Sequence, residues 1–391
     1  MFKKSSIKSA FVAVLAVALV APAAISSSAN AAGDIKIGVI TSTSGPLKSY
    51  GDAYIAGLEW GLNYYTNGKN TVDGRKLVLT KKDDGADPAS ATASFKDMVA
   101  NGTNIIVGPA SSGVALTLAP LAAQNKVLMI SGPAKNDAVT SAANKYVFRS
   151  GNTSLQDFAP LAGIKPIKGK KVILFVEDNA FGLGNIAAAK AYLTSKGALF
   201  EEIKVPTTTA DFTPFAKKAA DVKGDYIFIA WSNALTSGAM FTALAQQKAY
   251  ATARPITGLA GTATYDIYGT LFEGTNAILT NSYFPGVVSN AVASAIAADF
   301  AKEGKTQDLF TSVGVNAAQM IIKAVKGNSN LDVDKMITNL ESFNFVGLTG
   351  LNKVNKKNHT LTQSMFLAQL TKSSSGHYVP SLVSTLYNVT V

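Results

Sequence analysis

The chain has 391 residues, no cysteine, two histidines and a formal net charge of +11 at pH 7. The lack of thiols excludes cysteine nucleophiles, zinc–thiolate sites, iron–sulfur clusters and disulfides, and two histidines leave little basis for histidine catalysis or metal binding. Hydrophobic residues make up 47% of the chain and charged residues 16%, so the sequence can bury the cores of two ordinary domains.

The first predicted element is an export signal over residues 1–31. Lys3, Lys4 and Lys8 give it a basic start, and the apolar stretch 10–21 is too short to cross a bilayer as a helix. An Ala-Asn-Ala cleavage site follows at 29–31. We therefore expect a secreted protein, periplasmic or elsewhere in the cell envelope or outside it, and without a cysteine it carries no lipid anchor.

The mature chain stays basic but shows no pattern typical of nucleic-acid binding. Removing the signal takes away three lysines and no acid, so the net charge falls from +11 to +8. The short clusters at 168–171 and 353–357 are typical of solvated loops, and no stripe of alternating basic and aromatic residues occurs. We predict no nucleic-acid partner.

Strands and helices alternate in the first half of the chain. The predicted strands cover 35–40, 76–80, 104–107 and 127–130, with a loop over 41–50 and helices near 53–64, after Asp87-Pro88 and from Ser111-Ser112-Gly113. Asp87 is a capping residue, and proline is favoured in the first turn of a helix. Each strand is therefore followed by a well-marked loop or helix start.

The alternation resumes in the second half. Predicted strands cover 172–176, 200–205, 226–231 and a run near Ile256, and predicted helices cover 184–195, 211–221 and 234–247. Two helices, 291–302 and 310–326, and a last strand, 363–370, complete the prediction. Strands that alternate with helices of this length indicate parallel sheets built from βαβ units.

Polar segments interrupt this pattern at 149–154 and 282–290, and another lies at 352–360. We interpret the first two as crossings between two similar α/β lobes. The predicted N-terminal lobe comprises 32–150 and 284–355, and the C-terminal lobe comprises 151–283 and 356–391. Because ligands of open α/β sheets bind beyond the carboxyl ends of the strands, the loops there are the candidate site.

These loops carry an ordered set of short motifs: Ile35-Lys36-Ile37-Gly38-Val39-Ile40, Ser44-Gly45-Pro46, Tyr50-Gly51, Asp83-Asp84, Asp87-Pro88, Val107-Gly108-Pro109, Met129-Ile130-Ser131 and Val176-Glu177-Asp178-Asn179-Ala180-Phe181-Gly182. Over residues 34–370 their order and spacing resemble the type I periplasmic solute-binding proteins, specifically the leucine/isoleucine/valine-binding family of ABC importers. The resemblance implies two parallel-sheet lobes, a three-segment hinge that closes on a ligand, and delivery to an ABC permease in the inner membrane.

Ser111, Ser112 and Gly113 are the candidate carboxylate site. They begin a helix directly after a strand, where bare backbone N–H groups and the helix dipole suit an anion. The resemblance implies that Ser112 holds the ligand carboxylate. The alternative is an ordinary N-cap that binds nothing.

Pro133 and Lys135 match positions where the family uses a backbone carbonyl and a threonine hydroxyl. Pro133 keeps the carbonyl acceptor. Lys135 is a departure, for which two interpretations stay open: it pairs with a ligand carboxylate and favours acids, or it points out of the cleft.

Five further residues match the family's ligand pocket. Tyr50 is at the lip of the first lobe, Phe181 replaces a tyrosine that packs over the ligand, and Phe310 matches a phenylalanine of the side-chain pocket. Trp231 and Ser232 end a strand where the family has Gly-Tyr. The tryptophan either stacks on a ligand or belongs to the core between sheet and helix.

Ala260 is the sharpest departure, because amino-acid binders of the family carry there a glutamate that pairs with the ligand ammonium. A buried ammonium without a counter-charge costs on the order of several kcal/mol. Either another acid serves, with Asp178 and Asp266 as the nearest candidates, or the ligand has no amine.

We therefore predict the extracytoplasmic substrate-binding component of an ABC importer, a monomer without cofactor, metal or catalytic residues. Its ligand is a small carboxylate such as a branched-chain amino acid, or alternatively an amine-free aromatic or aliphatic acid. A sensory receptor domain and an enzyme on the same scaffold are the alternatives of other classes, and the scarcity of histidine and cysteine disfavours the enzyme.

Overall fold

The computed structural model describes residues 33–140, 143–164, 166–259 and 261–391, so the predicted export signal and Ala260 lie outside the described residues. The strands are β1 Ile35–Thr41, β2 Thr71–Val72, β3 Arg75–Asp83, β4 Ile105–Val107, β5 Leu128–Ser131, β6 Val147–Arg149, β7 Lys171–Glu177, β8 Leu199–Val205, β9 Tyr226–Ala230, β10 Arg254–Gly258, β11 Ile278–Asn281, β12 Asn344–Gly347, β13 Gly350–Val354, β14 Leu361–Lys372 and β15 Tyr378–Val389. The α-helices are α1 Lys48–Tyr65, α2 Pro88–Ala100, α3 Ser112–Asn125, α4 Ser154–Phe158, α5 Ala180–Leu193, α6 Thr213–Val222, α7 Ser237–Gln246, α8 Tyr265–Leu271, α9 Ala291–Lys302, α10 Leu309–Val325 and α11 Val333–Leu340.

These elements form two mostly parallel sheets with helices against them, which confirms the predicted fold class. The first sheet has the order β2-β3-β1-β4-β5-β6, and the second runs β12-β13-β14-β11-β10-β9-β7-β8, with β15 paired to β14. Neighbouring strands are parallel from β3 to β6 and from β8 to β11.

The edges of both sheets depart from the parallel pattern of the βαβ units. Strands β2 and β3 form an antiparallel hairpin, and β12 to β15 join the second sheet in antiparallel pairings. Nor is 363–370 the last strand, since β15 follows it after a short turn. The exposed β15 lacks the alternation of a half-buried strand and contains Pro380, which is tolerated because this is an edge strand.

The core of the first sheet depends on the close packing of α1 against α10. A Cβ added at Gly57 would lie 2.1 Å from the Thr311 carbonyl oxygen, and one added at Gly314 would lie 2.1 Å from the Tyr54 carbonyl oxygen. Glycine permits this backbone approach. The N-terminal turns of both helices thereby come together, and Tyr50 stacks on Phe310 with ring centroids 4.3 Å apart.

The chain returns to the first core after the second polar crossing. Phe345 of β12 and Val354 of β13 are buried in one cluster with Ile37 of β1 and Val313 of α10. A separate pair of clusters, which includes Ile173 and Val172 of β7, covers the two faces of the second sheet. The exact lobe boundaries stay a prediction.

Candidate ligand-binding cleft

A cavity of about 450 Å³ lies at the carboxyl ends of the strands of both sheets. The structure brings all ten predicted site residues to its wall: Tyr50, Ser111, Ser112, Gly113, Pro133, Lys135, Phe181, Trp231, Ser232 and Phe310. They come from both sheets because the loops that follow parallel strands meet at one edge. That these residues bind a ligand stays a prediction.

The start of α3 presents hydrogen-bond donors to this cavity. Ser111 is the N-cap, and its hydroxyl accepts a 3.4 Å hydrogen bond from the Val114 amide. Ser112 is 4% exposed, and its hydroxyl oxygen accepts a bond from the Asn136 amide at 3.3 Å. The first amides of a helix have no partner within the helix, so Ser112 and Gly113 offer N–H groups to an anion.

We expect Ser112→Ala to weaken binding of a carboxylate ligand about 10- to 100-fold, because a hydrogen bond to a charged group is worth about 1.5–3 kcal/mol. Isothermal titration calorimetry measures the change. Ser90→Ala, the same substitution in the exposed first turn of α2, is the control. Equal affinities of the two variants would place the anion elsewhere.

Helix α5 begins four residues earlier than predicted, because Asn179 caps it. The Asn179 side-chain oxygen accepts hydrogen bonds from the amides of Phe181 and Gly182, both at 3.0 Å. Asn179 therefore takes two of the first amides of α5, whereas Ser111 takes one of the first amides of α3. Phe181 consequently lies in the first helical turn and not in a loop.

Two hydrogen bonds cross the cleft beside the cavity. The side-chain Nδ2 of Asn136 donates to the Ala180 carbonyl oxygen at 2.6 Å, and the backbone amide of Ala234 donates to the Pro46 carbonyl oxygen at 3.1 Å. In both pairs the two residues follow strands of different sheets. The two halves of the structure are therefore in direct contact beside the cavity.

Lys135 lines the cavity but already has a partner. Its ammonium lies 2.9 Å from one carboxylate oxygen of Asp157, and the two side chains are 11% and 8% exposed. The side-chain Nδ2 of Asn152 also donates to the Asp157 carboxylate, at 2.8 Å. Burial raises the pKa of the Asp157 carboxyl, and the Lys135 charge opposes that rise. In the structure Lys135 thus belongs to a neutral ion pair, whereas one of the two interpretations from the sequence paired it with a ligand carboxylate.

Aromatic side chains form much of the wall. Trp231 lines the cavity and also packs edge-on against Phe212, with ring centroids 5.4 Å apart, so that it belongs in part to the core; that it stacks on a ligand stays a prediction. Its indole N–H donates to the Thr236 hydroxyl at 3.1 Å. Phe241 and Tyr268 also line the cavity, and sequence reasoning missed both because no motif distinguishes them from core residues of α7 and α8.

Neither acid proposed as a substitute for the family glutamate lines the cavity. Asp178 is exposed, and Asp266 lies on the surface of α8, where it accepts hydrogen bonds from the Tyr378 amide and pairs with His377. In this structure neither acid is placed to replace the glutamate. Glu177, which ends β7, is the carboxylate that lines the cavity in addition to Asp157.

Within the described ranges, no group of three or more histidine, aspartate or glutamate residues is arranged to hold a metal ion. The helices of the described chain are all too short or too polar to cross a membrane.

Two α/β sheets contribute to the walls of one cavity, and the start of α3 lies at that wall. This arrangement is typical of a two-lobed ligand-binding protein. The chain belongs to the periplasmic binding protein family, whose model matches residues 34–376. Members of this type I family are substrate-binding proteins of ABC transporters and not enzymes; they bind small molecules outside the cytoplasm and act with permeases.

Two curated relatives illustrate the match. The chain is 30% identical over 199 residues to the Leu/Ile/Val-binding protein BraC3 of Rhizobium johnstonii, a match over 50% of this chain and 54% of that relative, about half of its length. It is 27% identical to Leu/Ile/Val-binding protein homolog 6 of Brucella melitensis over 389 residues, which cover 94% of this chain and 96% of the relative.

Two solved structures have the same fold. An ABC-type branched-chain amino acid transporter protein of Rhodopseudomonas palustris matches with a TM-score of 0.75 and 29% identity, over 91% of this chain and 97% of that one. A solute-binding protein from the same species, in complex with 3,4-dihydroxybenzoic acid, matches with a TM-score of 0.77 and 23% identity, over 92% and 98% of the two chains.

Proposed function

We propose that this protein binds a small organic acid, whose carboxylate lies at the start of α3 and whose apolar part lies among the aromatic walls. The observation that carries this proposal is that Ser112 and Gly113, at the start of α3, line the cavity, whereas the Phe181 and Gly182 amides at the start of α5 are taken by Asn179. A helix end with unoccupied amides stabilises a negative charge.

The size and lining of the cavity support a ligand of leucine or benzoate size. Its volume of about 450 Å³ falls in the range of small-molecule sites, and such sites are mostly apolar with a few placed polar groups. A branched-chain amino acid is favoured by the Leu/Ile/Val-binding relatives. An amine-free aromatic acid is favoured by the aromatic side chains of Tyr50, Phe181 and Trp231, which line the same space.

The transport role follows from the family. The protein is exported by the signal over residues 1–31, captures the acid outside the cytoplasm, closes over it and delivers it to an ABC permease in the membrane. Closure matters because a small ligand has few atoms, and even the best small ligands reach only about −1.5 kcal/mol per heavy atom. Nearly all of the ligand must therefore be buried.

Matched acids and amides test the proposal. Leucine, valine, benzoate and 4-hydroxybenzoate are titrated into the purified protein beside leucinamide, valinamide, benzamide and 4-hydroxybenzamide. We expect at least one acid to bind and its amide to bind at least about tenfold more weakly, because the amide loses a charge-assisted hydrogen bond. If every acid and its amide bind equally, or no acid binds, the proposed carboxylate site is wrong.

A further inference from the structure

Glu177 is a buried carboxylate on the cavity wall with one oxygen unused. It ends β7 and is 2% exposed. Its Oε2 accepts hydrogen bonds from both the amide, at 3.1 Å, and the hydroxyl of Ser232. Asn179 donates to the same hydroxyl at 3.0 Å, which fixes its orientation. In the described chain, Oε1 has no hydrogen-bond donor.

The charges around the cavity leave Glu177 without a counter-ion. Among the described residues that line it, the charged side chains are Lys135, Asp157 and Glu177. Lys135 and Asp157 neutralise each other in their ion pair, and no cation of the described chain lies within ion-pair distance of Glu177. A buried carboxylate of this kind is costly unless a donor completes its hydrogen bonding.

Tyr50 lines the same cavity as Glu177. Burial raises the pKa of the Tyr50 hydroxyl most, and the negative charge of Glu177 contributes to the rise. Tyr50 belongs to α1 beside the first sheet, and Glu177 ends a strand of the second. Tyr50 and Glu177 therefore line the cavity from the sides of different sheets.

We propose that Glu177 forms a second polar subsite, whose Oε1 accepts a hydrogen bond from an ammonium or hydroxyl group of the ligand. The inference rests on the proposed function, since it requires an acid at the start of α3. With Glu177 in this role, the site fits a ligand whose carboxylate lies at the first sheet and whose hydrogen-bond donor lies at the second. Glu177 is thus the residue that selects for the donor, although position 260 holds alanine.

Two pairs of ligands, each of which differs only by the hydrogen-bond donor, distinguish an ammonium donor from a hydroxyl donor. Leucine and 4-methylpentanoate share a carbon skeleton but differ by the ammonium, and 4-hydroxybenzoate and benzoate differ by the hydroxyl. All four are titrated by calorimetry into the unaltered protein, Glu177→Gln and Glu201→Gln. Glu201 lies on β8 of the same sheet and outside the cavity lining, so its substitution controls for the lost charge.

In the unaltered protein and in Glu201→Gln, we expect one donor-bearing ligand to bind at least about tenfold more tightly than its partner, and we expect Glu177→Gln to reduce that ratio about tenfold. The pair that responds identifies the donor as ammonium or hydroxyl. Equal affinities within both pairs, or a ratio that Glu177→Gln leaves unchanged, overturn the inference while the carboxylate site stands. If none of the four acids binds, the proposed function fails and this inference fails with it.

Discussion

Replacement of Arg149 by methionine is expected to lower the free energy of unfolding by about 3–5 kcal/mol, the range for a broken buried charge network. Arg149 ends β6 at the first crossing and is 1% exposed. Its guanidinium donates to the Ala134 carbonyl oxygen at 2.7 Å, to the Asn136 carbonyl oxygen and to the Thr140 hydroxyl at 3.0 Å. The substitution leaves these buried acceptors without their donor.

The ionised form of Arg149 is retained despite its burial. Burial lowers the pKa of Arg149 to about 10, and the nearby charge of Asp137 opposes that shift. The guanidinium therefore stays charged at pH 7 and holds the segment that carries Pro133 and Lys135 to the cavity.

Urea unfolding followed by tryptophan fluorescence measures the effect, with Arg254→Met as the matched control. Arg254 is only half-buried and donates to the Asn276 carbonyl oxygen at the surface, so its loss should cost less than about 1 kcal/mol. Similar losses in the two variants would show that the Arg149 network does not hold this segment.

Asp157→Asn is the second substitution with a large expected effect, a loss of about 3–5 kcal/mol, because it leaves the buried Lys135 ammonium without a counter-charge. The added substitution Lys135→Met removes that isolated charge. The double variant should therefore be more stable than Asp157→Asn alone, although it lacks the ion pair.

A double-mutant cycle by urea unfolding checks this coupling. The interaction energy of Lys135 and Asp157 should exceed about 1 kcal/mol, as expected for contacting buried groups. If the losses of unfolding free energy in the two single variants simply add up in the double variant, the two side chains do not stabilise each other. Such a result would leave Lys135 available to a ligand, as one of the two interpretations from the sequence had it.

The sequence predicts the position of the cavity well because its determinants are local. A strand followed by Ser111 and Ser112 predicts a helix start, and because the strands are parallel, the loops that follow them lie at the same edge of the sheet. The resemblance to a family then assigns residues such as Trp231 and Phe310 to that edge. All of these lie on the wall of one cavity in the structure.

What the sequence could not supply depends on distant parts of the chain. Lys135 and Asp157 are 22 residues apart and meet only because the chain turns back at the first crossing. The role of Glu177 depends on Ser232 in a loop 55 residues later. Asp178, its neighbour in sequence, points to solvent instead, since side chains alternate along an extended segment. Strand β15 was missed because an edge strand needs no regular pattern.

A crystal structure of the protein with its tightest-binding acid would show where the carboxylate binds. We expect the ligand carboxylate within about 3.2 Å of the Ser112 and Gly113 amide nitrogens, the distance of a normal hydrogen bond. A carboxylate bound instead to Lys135, with the start of α3 facing only the apolar part of the ligand, would contradict it.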